Sequence, residues 1–176
     1  MEPVATPAPR ISRDDLVGVV LAAGTGTRLD PLTQLLPKAL CPVGNRALVD
    51  LALDRIGPLV GSLAVNAHHH GERLRSHLRE HWSETVTVSL EPDEPLGTAG
   101  GIGRLRSWID GRSVVVVNAD SWTPTPLDAL LEGWDGHTVR VMVNRESTFG
   151  PSSKVVASTL PWRIIERLDD SPTGLY

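Results

Sequence analysis

The stretch Leu16 to Val43, LVGVVLAAGTGTRLDPLTQLLPKALCPV, decides the fold, because an apolar run there empties into a glycine turn followed by Arg28 and Lys38. Leu16 to Ala22 is short, β-branched and almost wholly apolar, the pattern of a strand buried on both faces in a parallel sheet. It breaks at Ala23-Gly24-Thr25-Gly26-Thr27. Gly24 and Gly26 permit backbone angles closed to other residues, and without side chains they let successive N–H groups surround an anion. The turn is therefore a candidate phosphate cradle. Arg28 adds a permanent charge with a fork geometry suited to phosphate oxygens, and Lys38, after Pro37, adds a flexible point charge. The Gly-Lys-Ser/Thr ending of a P-loop is missing, and Gly24-x-Gly26 lacks the third glycine of a dinucleotide fingerprint.

Outward from this stretch, strand and helix patterns alternate. Ala47 to Ile56 carries apolar residues on a helical period and stops at Gly57-Pro58. Leu63 to Ala67 reads as a strand and Glu72 to Trp82 as an amphipathic helix. Thr85 to Leu90 is a third strand, Gly100 to Trp108 a further helix, and Val114 to Asn118 a buried strand. This β-α-β-α-β-α-β order predicts an α/β fold, a Rossmann-like three-layer α/β/α sandwich with a mostly parallel sheet. Ligands of such sheets lie beyond the carboxyl ends of the strands, so Gly24, Gly97 and Asp120 are expected on one rim. Asp120 follows four valines at the mouth of the sheet. It suits either a turn before Pro124 or a hard cation such as Mg²⁺ bridging it to phosphates.

Composition bounds the answer. With 176 residues and 40% hydrophobic content, one cooperative domain over residues 14–176 is expected, preceded by a Pro- and Ala-rich tail at 1–13. A net charge of −4 argues against a broad electrostatic grip on nucleic acid, and aromatics at 4% leave few stacking platforms. With one cysteine, no signal-peptide core and no 18-residue apolar run, the expectation is a cytoplasmic protein with neither internal disulfide nor membrane span. Cys41 is expected as a buried thiol. His68, His69 and His70 diverge at a strand end and do not converge on one metal ion. Asp93 and Glu94 beside Glu91 read as a solvated loop. The five tryptophans are expected in the core; an exposed apolar patch among them would instead form a homo-oligomer interface.

Gly24-Thr25-Gly26-Thr27-Arg28-Leu29, with Pro31-Leu32-Thr33 and Pro37-Lys38, resembles the signature of the sugar-1-phosphate nucleotidyltransferases. Glu94-Pro95-Leu96-Gly97-Thr98-Ala99-Gly100-Gly101 resembles that family's base-binding loop, and Val117-Asn118-Ala119-Asp120 its metal-binding strand end. The Pro-Leu-Gly-Thr-Ala-Gly run is similar to mannose-1-phosphate guanylyltransferases, and the Val-Asn-Ala-Asp-Ser-Trp region to N-acetylmuramate-1-phosphate uridylyltransferases. Guanine and uracil both stay open.

The resemblance implies that a sugar-1-phosphate oxygen attacks the α-phosphorus of a nucleoside triphosphate and pyrophosphate leaves. By that analogy Leu21, Ala22, Ala23, Gly24, Thr25, Gly26, Thr27 and Arg28 bind the nucleotide together with Gly97 and Thr98. Arg28 and Lys38 are catalytic, and Asp120 holds Mg²⁺. Gly150 and Glu166 are the implied sugar contacts, although Glu166 is followed by Arg167 where the family usually has lysine. The family's second metal aspartate, in an Asp-x-Gly-Thr segment, has only a loose echo at Asp169 to Gly174. That departure sustains an alternative, a catalytically weak or inactive nucleotide-binding protein that needs a partner or a further segment. A molybdopterin nucleotidyltransferase shares the glycine-loop logic and fits the downstream blocks less well.

Overall fold

The computed structural model describes residues 11–91, 93–144, 153–159 and 162–167. Strand β1 (Leu16–Leu21) forms where the apolar run predicts it, with Val17, Val19 and Val20 fully buried. Helix α1 (Leu48–Ile56) follows a small antiparallel ribbon, β2 (Pro42–Val43) with β3 (Arg46–Ala47). The chain continues through β4 (Ser62–Ala67), α2 (Gly71–Trp82), β5 (Val86–Leu90), α3 (Gly97–Arg104), α4 (Arg106–Ile109) and β6 (Ser113–Asn118). Beyond these lie β7 (Arg140–Asn144), β8 (Ser153–Thr159) and β9 (Trp162–Arg167).

Four strands make a parallel sheet in the order β5-β4-β1-β6. With its crossover helices this is the Rossmann-like α/β sandwich that the alternation predicts. The order carries a functional consequence. From β1 the chain adds β4 and then β5 on one side, and returns to add β6 on the other. The switch therefore falls between β1 and β6, where crossovers diverge and leave a crevice at the carboxyl ends. Leu21 is in register with Asn118, so the glycine turn and Asp120 emerge side by side from adjacent strands.

Contacts divide the chain into two compact units. The first runs from Ser12 to Trp122 and holds the parallel sheet and its helices; its core is built from Leu16, Val17, Val19, Val20, Leu53, Ile56, Val65, Leu74 and Leu78. The second begins at Thr123 and includes the antiparallel sheet β7-β9-β8, in which Glu166 of β9 is paired with Arg140 of β7 and Lys154 of β8.

Several local expectations need correction. The helix expected over Gly100 to Trp108 is two helices broken at Leu105, whose side chain is buried. Gly100, Gly101 and Gly103 weaken the helix before the break. The valine strand is the edge of the described sheet, so of its four valines only Val115 is buried and Val116 is exposed. Trp122 is 67% exposed rather than core. Cys41 is buried as expected. Among the described residues no helix is long and apolar enough to cross a membrane.

Candidate active site

A cleft of about 410 Å³ opens at the switch point, lined by the chain from Leu21 to Arg28, by Lys38 and Ala39, by Asn66, by Pro95, Gly97 and Thr98, and by Asn118 to Asp120. The sequence places Gly24, Gly97 and Asp120 on one rim, and the structure brings them together there with Arg28 and Lys38.

The turn has an unused set of donors. Among the described residues, the N–H groups from Ala23 to Gly26 enter no hydrogen bond, whereas Leu29 N–H donates to Gly26 O at 2.8 Å and closes a short 3-10 turn over Thr27–Leu29. The two glycines serve differently. Gly26 has a φ of +68°, and a Cβ there would come within 2.9 Å of Lys38 Cβ and 3.0 Å of Thr33 Cγ2. Gly24 is not left-handed, and a Cβ there would meet nothing within 4 Å, so the requirement for an unusual angle holds at Gly26 alone. Gly24 leaves that side of the turn bare.

The turn is braced from below. Thr33, fully buried, brings its hydroxyl to Gly26 O at 3.3 Å and also to the Asp30 carboxylate. His69 Nε2 donates to Thr33 O at 2.7 Å, and Arg73 Nη1 donates to Leu35 O at 2.6 Å. His68 Nδ1 donates to Glu91 O at 2.7 Å. Two of the three histidines thus hold main-chain carbonyls, and among the described residues no group of three or more ligating side chains gathers.

Charge concentrates at the opening. Lys38 Nζ donates to Asp120 Oδ2, and the side chains are 28% and 40% exposed. Arg28 is exposed on the cleft wall and has no ion pair among the described residues. Asp120 stands after β6 because Ala119 N–H donates to Leu21 O at 3.0 Å, extending the ladder by one residue before the chain turns. Its oxygen already accepts a cationic partner, the Lys38 ammonium. A magnesium ion takes one or two carboxylates and completes its shell with phosphate oxygens and water, so this donor set fits it.

Sequence gave no site role to Asn66, which lines the cleft, or to Glu91, which is buried behind it and hydrogen-bonded to Asn66. Asn66 is 3% exposed; its Oδ1 accepts from Ala22 N–H at 2.8 Å and its Nδ2 donates to Glu91 Oε1 at 2.8 Å. Glu91 is also 3% exposed, and its Oε2 accepts from Leu96 N–H at 2.8 Å. The solvated-loop reading holds for exposed Asp93 and Glu94 but fails for Glu91, which is drawn inward by these donors. An amide inside the apolar run Leu63 to Ala67 was the one available signal. Gly150 lies outside the described residues, and Glu166 is placed by its backbone on β9.

Residues 17–150 match the nucleotidyl transferase family. N-acetylmuramate alpha-1-phosphate uridylyltransferase of Caulobacter vibrioides is 34% identical over 147 residues, covering 78% of this chain and 61% of that one. Mannose-1-phosphate guanyltransferase of Debaryomyces hansenii is 31% identical over 144 residues, covering 76% of this chain and 40% of that one. The chain therefore spans about two fifths to three fifths of these relatives' length. A Bacillus anthracis protein classed with the glucose-1-phosphate thymidylyltransferases superposes with a TM-score of 0.65 at 20% identity, over 89% of this chain and 66% of that one, and shows a shared fold. The matched segment contains the glycine turn, the Gly97 loop and Asp120, and by it the chain belongs to the nucleotidyl transferase family.

Proposed function

We propose that the protein transfers a nucleotidyl group from a nucleoside triphosphate to a sugar-1-phosphate, releasing pyrophosphate and forming a nucleoside diphosphate sugar. The observation that carries this reading is the set of uncommitted N–H groups from Ala23 to Gly26 on a cleft wall shared with Arg28, Lys38 and Asp120. The relatives' printed names, a uridylyl- and a guanyltransferase acting on 1-phosphorylated sugars, support it.

In this account the acceptor's phosphate oxygen forms a bond to the α-phosphorus while the bond from that phosphorus to the bridging oxygen breaks. The nucleophile is already an anion, so no general base is demanded, and the protein supplies alignment and charge neutralisation. The turn from Ala23 to Gly26 seats the phosphates through its N–H groups. Arg28 neutralises charge on the departing pyrophosphate. Lys38 leaves Asp120 and turns to the phosphates at the reacting centre, freeing the carboxylate. Asp120 would then hold Mg²⁺, which when bound neutralises phosphate charge and orients both reactants. Gly97 and Thr98 face the base.

A second reading is a triphosphate-binding protein whose acceptor half comes from a partner or a further segment. It is favoured by Asp120 being the one acidic side chain on the cleft lining among the described residues. One experiment separates the two. The chain is incubated with Mg²⁺, each of four nucleoside triphosphates and a panel of sugar-1-phosphates, and products are read by mass spectrometry. A nucleoside diphosphate sugar from one pairing supports transfer. Nucleotide binding with no product from any pairing supports the second reading.

A further inference from the structure

Asn66 and Glu91 hold no assigned part in that chemistry, yet they join two walls of the cleft. The linkage is continuous: Ala22 N–H donates to Asn66 Oδ1, Asn66 Nδ2 donates to Glu91 Oε1, and Leu96 N–H donates to Glu91 Oε2, each at 2.8 Å. One end lies where β1 enters the glycine turn and the other is the residue before Gly97. Glu91 is pinned through its backbone too, its N–H donating to Ala67 O at 2.8 Å and its carbonyl accepting from His68 Nδ1 at 2.7 Å. Helix α3 closes over the pair so tightly that a Cβ on Gly101 would sit 2.6 Å from Asn66 Nδ2 and 3.0 Å from Glu91 Oε1. A buried carboxylate is costly unless its oxygens are hydrogen-bonded, so Glu91 holds its two donors, and through them both loops, in one geometry.

Resting on the nucleotide reading above, we propose that Asn66 and Glu91 are positioning residues for base selectivity. They fix the Gly97 loop relative to the phosphate turn, so that a base is read at a set distance from a seated triphosphate. Neither side chain needs to touch the base. Glu91→Gln keeps the volume but places an amide N–H against either Leu96 N–H or Asn66 Nδ2, so one of the two bonds is lost. Pairing it with Asn66→Asp reverses the polarity: the new amide donates to the new carboxylate, and Ala22 and Leu96 keep their acceptors.

The test is equilibrium binding of four nucleoside triphosphates and of inorganic tripolyphosphate, with thermal unfolding recorded for each variant. Wild type is expected to favour one base. Glu91→Gln is expected to erode that preference about tenfold, as loss of a hydrogen bond to a charged group does, with tripolyphosphate affinity held within about twofold. The double variant is expected to recover the preference. A folded Glu91→Gln variant with the wild-type preference would overturn the proposal, as would a folded double variant that fails to recover it. Should Glu91→Gln not fold, the double variant decides alone. Equal wild-type affinity for all four nucleotides would also overturn it, whereas no triphosphate binding by wild type would remove the nucleotide reading itself.

Discussion

Two polar pairs flank the same cleft and are built in opposite ways. Asn66 and Glu91 are buried, and every bond they make has a fixed main-chain or side-chain partner. Lys38 and Asp120 are partly exposed and hold only each other among the described residues. The first pair is costly to disturb, since a group left unsatisfied there has no water to turn to. The second exchanges partners at little cost, because an exposed ion pair contributes little to stability. A site that must hold a scaffold still while charge is passed to an incoming polyphosphate needs both kinds.

The sharpest way to break this contrast is to remove the exchangeable charges. Lys38→Ala or Asp120→Ala is expected to lower turnover by roughly 10² to 10³-fold, the scale for one preorganised electrostatic group, while leaving the unfolding midpoint nearly unchanged. Steady-state kinetics beside a thermal melt checks this, and a variant with normal turnover would remove that residue from the mechanism. Asn66→Ala should do the reverse in its structural part. It strands Ala22 N–H and Glu91 Oε1 in the interior and is expected to cost about 2–3 kcal/mol in denaturant unfolding. A near-neutral result would mean the buried linkage is not rigid.

A third polar cluster is centred on the buried Asp50 carboxylate and lies away from the cleft lining. Asp50 of α1 accepts from Trp82 Nε1 at 2.8 Å and from His77 Nε2 at 3.0 Å, tying α1 to α2. Burial opposes its charge, but the Trp82 and His77 hydrogen bonds and the nearby His77 and Arg46 charges outweigh that and hold the carboxyl below its ordinary range. A lowered folded-state value means that Asp50 stabilises fully above about pH 4 and that this contribution is lost as pH falls through the folded value. Asp50→Ala is expected to cost about 1–2 kcal/mol at neutral pH, with the gap to wild type closing in acid and nucleotide affinity unchanged. A pH series of melts checks the sign. Gly26→Ala is expected to cost about 1 kcal/mol or more through its positive φ and the close approach of Lys38 Cβ, and the smallest effect belongs to Gly24→Ala, at less than about 0.5 kcal/mol.

The legible and illegible parts of the sequence divide along the same line. The strand from Leu16 to Leu21, the turn after it and Asp120 at a strand end were readable because each rests on local pattern: an apolar run, glycines, a carboxylate after valines. The sheet order then brought them to one rim. What could not be read locally was pairing across the fold. Glu91 sits in an acidic, proline-containing stretch that looks like solvated loop, and its burial depends on Asn66, 25 residues away in sequence. The exposed face of β6 was hidden for a related reason, since four valines in a row suggest two buried faces and only the strand order shows that β6 ends the sheet among the described residues. The split at Leu105 reflects glycine content that periodicity alone does not weigh.

A triphosphate seated on the glycine turn should draw Lys38 away from Asp120. A crystal structure of the chain with Mg²⁺ and a non-hydrolysable nucleoside triphosphate tests it most directly. Phosphates are expected against the N–H groups from Ala23 to Gly26, with Lys38 on a phosphate oxygen and Asp120 released. Phosphates bound elsewhere, or a Lys38 still on Asp120 beside a seated nucleotide, would contradict it.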